Sequence, residues 1–367
     1  MKVNRITLWL VDLTSHETYF MAGEKSCATV ESVVLCLETD SGMKGWGEVC
    51  TIPHYLPAYA KGVPSAVMEM APEILGIAPD GVDAPMRRLD DFLLGHPYAK
   101  SIVDMALWDL FGKATGLPLY TLLGGRAHRD MPLYHSITCI APDEMARIAT
   151  DAYASGIRQF QAKLGVDGDW ETDAERLIKV REAVGPGPLV YGDWNCGASR
   201  LHATRTGRAV AHLDIMLEQP CKSLPDCAAV RQATGLPMKI DENASDPASL
   251  LQASELGCLD AVALKLSKFG GLSATRRARD LCVHLGAVIC AECTWGSDIV
   301  TAAALHFAAS TPCGSLLNCC DLASYVHPRL CPDAPVRANG RIAPPEGPGL
   351  GVQPDLSMLG SPILELS

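Results

Sequence analysis

At 367 residues the chain exceeds one ordinary domain and has room for a full-length barrel plus a second unit. A formal net charge of −11 argues against nucleic acid or an anionic membrane as partner, because both select clustered Lys and Arg. The start, Met1 to Ile6, leads into a mixed segment without an apolar signal core, and no stretch is apolar enough to span a bilayer, so the expected setting is cytoplasmic.

Alternating apolar segments come first, among them Ser32-Val33-Val34-Leu35-Cys36-Leu37, followed by a Gly-containing turn and Gly45-Trp46-Gly47-Glu48. They predict a small antiparallel sheet. From about Pro64 to Leu117 the spacing becomes helical, ending in Ser101 to Lys113 and the stop signal Gly116-Leu117-Pro118. An α+β domain over 1–128 follows, with the segment from Phe20 to Lys25 expected as a lid that excludes water.

Residues 129–343 carry short apolar runs near Leu133, Phe160, Leu189, Ile215, Met238, Val262, Val288 and Leu316, with amphipathic helices between them. This is the pattern of a (β/α) barrel. After Lys163, for example, Ala174, Leu177, Ile178, Arg181 and Val184 share one helical face, which is fit to cover the barrel wall. Residues 344–367 begin as a Pro/Gly loop and are expected to return to the first domain.

Fifteen cysteines are scattered along the chain, and their odd number without a signal segment points to reduced thiols. Cys290-Ala291-Glu292-Cys293 has CxxC spacing and Cys319-Cys320 follows, so a zinc or redox site is the competing reading. Near strand ends, however, cysteine packs as a small apolar residue.

Five charged residues each close an apolar run: Lys163 after Phe160-Gln161-Ala162, Asp193 after Tyr191-Gly192, Glu218 after Leu217, Asp241 after Ile240, and Lys265 after Val262-Ala263-Leu264. In a barrel the C-terminal strand ends meet at a common mouth. One strand-end acid is more often a cap or a solvated turn, but three in succession suit a single hard cation such as Mg²⁺. Asn195 and Glu242, close beside them, would orient these ligands or replace one of them. The lysines come before and after the carboxylates in barrel order, on opposite sides of a bound substrate. Their plainer role is to neutralise the acids. As bases they must lose a proton, which burial beside a cation favours. Metal and lysines together imply removal of a proton α to a carboxylate, with Mg²⁺ stabilising the enediolate.

On these residues the chain resembles the enolase superfamily, in the muconate-lactonizing-enzyme-like subgroup of the mandelate racemase/muconate lactonizing enzyme family. The likeness is carried by Thr39-Asp40-Ser41-Gly42, Gly45-Trp46-Gly47-Glu48, Ala106 to Lys113, Leu122-Leu123-Gly124-Gly125, the charged strand ends, Lys265 with Gly270-Gly271, and Pro348-Gly349-Leu350-Gly351. It implies an α/β fold, a (β/α)7β TIM-like barrel under an N-terminal α+β capping domain, with one Mg²⁺ and a lysine base. The chain departs from the subgroup at Gln161, where Lys-x-Lys is usual, so only Lys163 inherits the base role on that strand. A neutral Gln161 suits a substrate that carries its own positive charge.

Gln161-Ala162-Lys163, Gly45-Trp46-Gly47-Glu48 and Trp295-Gly296-Ser297-Asp298 resemble the proline-betaine epimerase and cis-3-hydroxyproline dehydratase branch. Tyr55 and Trp295 would then frame a cationic nitrogen, with Asp321 or Glu292 as counter-charge. The expected activity is a Mg²⁺-dependent racemase or epimerase of a proline-type amino acid or betaine, in which Lys163 and Lys265 exchange acid and base roles. The alternative is elimination of a 3-hydroxyl from a cis-3-hydroxyproline-like substrate. Cycloisomerisation of a diacid suits Gln161 and Trp295 less well, and a non-catalytic barrel would have to keep five convergent groups without use. The expected partner is a small zwitterionic carboxylate, and the resemblance implies a homo-oligomer.

Overall fold

The computed structural model describes residues 1–23, 25–54 and 57–367. Period-two alternation builds the first sheet. β1 (Val3–Met21), β2 (Lys25–Thr39) and β3 (Lys44–Cys50) form an antiparallel meander in which Ile6 faces Leu37 and Leu8 faces Leu35. The helices α1 (Gly62–Ile74) and α2 (Asp83–Phe92) pack on α3 (Pro97–Thr115), which lies across β2 and β3. Two glycines allow that approach: a Cβ at Gly47 would stand 2.0 Å from the Ile102 carbonyl oxygen, and one at Gly45 2.3 Å from that of Ala106. α3 extends beyond the expected Ser101 to Lys113 at both ends, opening on Pro97 and stopping at Gly116, whose φ of 71° is left-handed.

The short α4 (Leu119–Leu122) and β4 (Met131–Pro132) lead into the barrel. Its strands are β5 (His135–Ile137), β6 (Gln159–Lys163), β7 (Leu189–Asp193), β8 (Ile215–Glu218), β9 (Met238–Ile240), β10 (Ala261–Lys265), β11 (Val288–Glu292) and β12 (Leu316–Cys319). Between them run α5 (Pro142–Ala154), α6 (Trp170–Val184), α7 (Arg200–Val210), α8 (Leu224–Thr234), α9 (Pro247–Glu255), α10 (Leu266–Phe269) with α11 (Leu272–Leu285), and α12 (Asp298–Ala309). The strands pair in chain order and in parallel, and a bridge between Leu133 and Cys319 brings the first back to the last. The fold is the expected α/β barrel with an N-terminal antiparallel sheet domain. On α6 the predicted stripe faces inward, and Arg181 joins it by donating to the carbonyls of Gly185, Pro188 and Asp214.

The two parts are laced together. β13 (Val326–His327) and β15 (Leu364–Leu366) both pair with β1, while β14 (Arg341–Ile342) pairs with β4. Glu48, fully buried on β3, accepts from Ser32 Oγ at 2.7 Å, Ser297 N at 2.8 Å, Ser297 Oγ at 2.7 Å and Val300 N at 3.0 Å, thereby capping α12 from the first sheet. The segment expected as a lid is the tip of the β1–β2 hairpin, with Met21 lining the barrel cavity. Phe20 and Met21 end β1, with Phe20 N donating to Thr138 Oγ1 at 2.7 Å and Phe20 O accepting from Cys139 N at 3.2 Å; Lys25 opens β2, and Glu24 lies outside the described residues.

All fifteen cysteines are among the described residues and are free thiols. Cys290 contacts Glu292 while Cys293 contacts Ser267, so the CxxC pair shares no partner. No helix among the described residues is long and apolar enough to cross a membrane.

Candidate active site

Side chains alternate along a strand, so the last residue of a barrel strand and the one two before it point the same way. Gln161 and Lys163 on β6 illustrate this. Gln161 Nε2 donates to Asp193 Oδ2 at 3.1 Å and to Glu218 Oε2 at 2.7 Å, while Lys163 Nζ donates to Asp193 Oδ2 at 2.5 Å. Asp193 also accepts from Asn195 N at 2.8 Å and Asn195 Nδ2 at 3.0 Å, and the same amide reaches Glu242 Oε1 at 3.2 Å. Lys265 Nζ donates to Asp241 Oδ2 at 2.6 Å, and Lys268 Nζ donates to Asp241 Oδ1 at 3.0 Å and to the Asp241 carbonyl. The five expected residues and both neighbours thus fall into two hydrogen-bonded groups at the barrel mouth, one around Asp193 and one around Asp241.

Strand order gives the set its geometry. β6 and β10 stand four places apart in a closed order of eight, so Lys163 and Lys265 face each other across the barrel mouth, and the three strands between them carry Asp193, Glu218 and Asp241. Both lysines line one cavity that is open to solvent. Gln161 lines it too. On the other side stand Glu292, Thr294, Trp295, Tyr134 and Tyr325, with Tyr19 reaching in from β1. Trp295 meets the Tyr19 ring edge-on at 5.3 Å, and Tyr325 lies 5.9 Å from Tyr19. Glu292 accepts from Tyr134 OH at 2.8 Å and from the Cys290 thiol at 3.3 Å.

Two placements differ from expectation. Asp321 directly follows the cavity-lining Cys320, and its carboxylate turns away to take both ends of Arg337, with Arg337 Nε donating at 2.7 Å. It is not a counter-charge in the cavity. Tyr55 lies outside the described residues. The sequence reading also missed Lys239, fully buried on β9, with Nζ 2.9 Å from Glu218 Oε1 and 3.8 Å from Glu292 Oε1 and within 4.8 Å of the Tyr191 ring centre. The signal was there: Lys239 precedes Asp241 by two and must share its face. Lys268, three residues after Lys265 on α10, was missed as well.

The charges are strongly coupled. Burial pushes Glu218 up to about 7, with Asp193 and Asp241 adding to it against Lys239 and Lys163, and pushes Glu242 up to about 8 with the same two aspartates adding. For Lys163, burial works to lower the pKa but Asp193 and Glu218 outweigh it and raise it; for Lys265, Asp241, Glu292 and Glu242 outweigh burial and hold it well above its ordinary value. The expected depression of the lysines belongs to the cation-bound site; with the carboxylates as their partners both are raised. Ion pairing with the carboxylates keeps both as ammonium groups.

Among the described residues no three His, Cys, Asp or Glu side chains stand ready-made around one point, since each carboxylate is turned onto a lysine or an amide. The donor set still fits a hard cation. Asp193, Glu218 and Asp241 offer only oxygen, Asp193 and Glu218 are near enough to share one amide nitrogen, and the buried Glu242 Oε2 has no hydrogen-bond partner. A cation here would displace ammonium and amide contacts rather than fill an empty cage.

Residues 7–124 match the family described as "Mandelate racemase / muconate lactonizing enzyme, N-terminal domain", and residues 144–358 the family described as "Enolase C-terminal domain-like". The chain is 40% identical over 369 residues to the cis-3-hydroxy-L-proline dehydratase of Roseibium aggregatum, covering 100% of both. It is 28% identical over 319 residues to the N-succinyl-L-Arg/Lys racemase of Bacillus cereus, covering 84% of this chain and 85% of that one. A crystal structure of an enolase superfamily member from Roseovarius nubinhibens, complexed with magnesium, is similar with a TM-score of 0.93 at 33% identity, covering 100% of this chain and 99% of that one. Matched in both domains and along its full length, the chain belongs to the mandelate racemase/muconate lactonizing enzyme family and is an enzyme of the enolase superfamily.

Proposed function

We propose that the protein removes the α-proton of a cyclic amino-acid carboxylate with the help of one Mg²⁺ and then expels a 3-hydroxyl group, as a dehydratase of a cis-3-hydroxyproline-type substrate. The observation that carries it is the placement of Lys163 and Lys265 on opposite sides of one cavity. In a cis-3-hydroxy ring acid the hydroxyl shares a face with the carboxylate, so the α-hydrogen occupies the other face. One lysine takes that hydrogen as the neutral amine, the electron pair of the C–H bond passes into the carboxylate as an enediolate, and the opposed ammonium protonates the hydroxyl as the C–O bond breaks. Water leaves, and the enamine product tautomerises to an imine. Asp193, Glu218 and Asp241 would hold the ion, which when bound supplies charge against the enediolate oxygens and neutralises the carboxylates that otherwise keep the lysines protonated.

The opposite wall supports a zwitterionic substrate. Glu292 offers a carboxylate to a ring ammonium, and Trp295, Tyr19 and Tyr325 offer aromatic faces and edges beside it. The full-length likeness to a cis-3-hydroxy-L-proline dehydratase favours elimination. The same opposed lysines also support a second reading, racemisation or epimerisation at the α-carbon, in which the far lysine returns a proton to carbon instead of oxygen. Proton NMR in D₂O with Mg²⁺ and a panel of hydroxyprolines, proline betaines and ordinary amino acids separates the two. Loss of water from cis-3-hydroxyproline is the expected result; α-deuteration with inversion and no elimination moves the assignment to an epimerase, and no exchange with any member overturns both.

A further inference from the structure

Gln219 directly follows Glu218, is fully buried, and has a φ of 32°, a left-handed conformation uncommon for a residue with a side chain. Such a backbone is strained and persists only where its surroundings hold it. Here three consecutive barrel loops do so. After β7, Cys196 N donates to the Gln219 carbonyl at 2.9 Å. In its own loop, Gln219 Nε2 donates to the Cys221 carbonyl at 2.9 Å. After β9, the same nitrogen donates to Asn243 Oδ1 at 2.6 Å, while Gln219 Oε1 accepts from Asp241 N at 3.0 Å and Asn243 N at 3.2 Å. Both amide protons and both oxygen lone pairs are in use. Asp193 and Glu218 end the strands before two of these loops, and Asp241 opens the third.

We infer that Gln219 is a positioning residue that fixes the spacing of the three carboxylates and thereby sets the affinity of the site for a small divalent cation. This rests on reading those carboxylates as metal ligands. A packing role alone would not require the side chain to spend all its hydrogen bonds on the loops that bear them, nor to reach the backbone of Asp241 itself. Mg²⁺ demands near-octahedral geometry at short distance, whereas Ca²⁺ accepts a looser shell. Loosening the clamp therefore weakens Mg²⁺ more than Ca²⁺.

The test is calorimetric titration of the full chain, without substrate, using magnesium chloride and calcium chloride in turn. Gln219→Met keeps the length of the side chain and removes its hydrogen bonds; Asn243→Ala removes one anchor from a partly exposed loop and decides the matter if the first variant does not fold. The expected result is Mg²⁺ binding weakened about 10–100-fold in Gln219→Met and by a smaller factor in Asn243→Ala, with Ca²⁺ binding less affected. Unchanged cation affinity with lowered thermal stability, or equal loss for both cations, overturns the inference. Failure of the unaltered protein to bind Mg²⁺ overturns the metal reading itself, and the inference with it.

Discussion

Between β6 and β10 the barrel mouth carries acids, lysines and an amide held by ion pairs and hydrogen bonds around Asp193 and Asp241, whereas from β11 round to β5 it carries Tyr134, Trp295, Tyr325 and small polar groups around one carboxylate, Glu292. The first arc has the parts for moving protons. The second has the parts for choosing a substrate. Charge in the first arc comes from consecutive strand ends of one domain, while the second depends on Tyr19 from the other domain and on the capping of α12 by Glu48. A barrel can therefore keep its chemistry while its aromatic wall is rebuilt.

The sharpest way to break the comparison is to remove the lysines one at a time. Lys163→Ala and Lys265→Ala are each expected to lower kcat by about 10²–10⁴-fold, the usual worth of a positioned acid or base. For elimination the two losses differ in kind: the variant lacking the base gives no α-proton exchange in D₂O, and the variant lacking the acid exchanges but releases water slowly. If both variants keep turnover within a few-fold of the unaltered protein, the first arc is not the proton-moving side.

Glu292→Gln tests the second arc. A hydrogen bond to a charged group contributes about 1.5–3 kcal/mol, so kcat/KM for an amino-acid substrate is expected to fall roughly 10–100-fold, carried by KM. A fall in kcat with KM unchanged would put Glu292 with the proton-moving groups and erase the division between the arcs.

A third change weakens what holds the second arc in place. Glu48→Ala leaves the Ser297 and Val300 N–H groups at the buried start of α12 without their acceptor. The expected cost is about 2 kcal/mol in thermal or urea unfolding, within the range for stranding buried donors. Stability within error of the unaltered protein would mean that the capping domain braces the aromatic wall by packing alone.

The two arcs also differ in how well they can be read from sequence. Lys163, Asp193, Glu218, Asp241 and Lys265 were legible because each stands where an apolar run ends, and strand ends converge in a barrel. Lys239 lies inside a run, between Met238 and Ile240, and only its shared face with Asp241 gives it away. Asp321 was misread because the strand-end rule ignores facing: Cys320 points into the cavity, and the next residue points out to Arg337. Trp295 was found through resemblance to a motif, but no local pattern announces Tyr19, which lies 276 residues away on another domain and is brought in by the pairing of β1 and the hydrogen bond from its hydroxyl to Ser136 O at 3.0 Å. The fold followed from periodicity, and the aromatic wall of the cavity followed from tertiary contact.

Behind the second arc, α12 buries His306 completely, and this sets the smallest expected effect. Tyr120 N donates to His306 Nδ1 at 3.3 Å, and His306 Nε2 donates to Leu350 O at 3.0 Å, so the ring joins α4 and the C-terminal segment in its neutral form. Burial lowers its pKa from 6.5 to about 4, against a smaller opposing effect of the Leu350 carbonyl. Because the folded value lies below the unfolded one, the contribution is fully present above about pH 6.5 and is lost as the pH falls toward 4, where the unfolded chain has taken up a proton that the folded ring refuses. Between pH 6.5 and 5.5 this one group should cost about 1 kcal/mol. His135, which burial and then Arg337 also lower to about 4, adds a loss of the same sign. Urea unfolding at both pH values, for the unaltered protein and for His306→Gln, measures the difference: the variant is expected to be less stable at neutral pH but to lose about 1 kcal/mol less on acidification. An equal acid slope in both would mean that His306 takes up its proton in the folded state, and that the packing behind the aromatic wall tolerates charge as readily as the arc opposite.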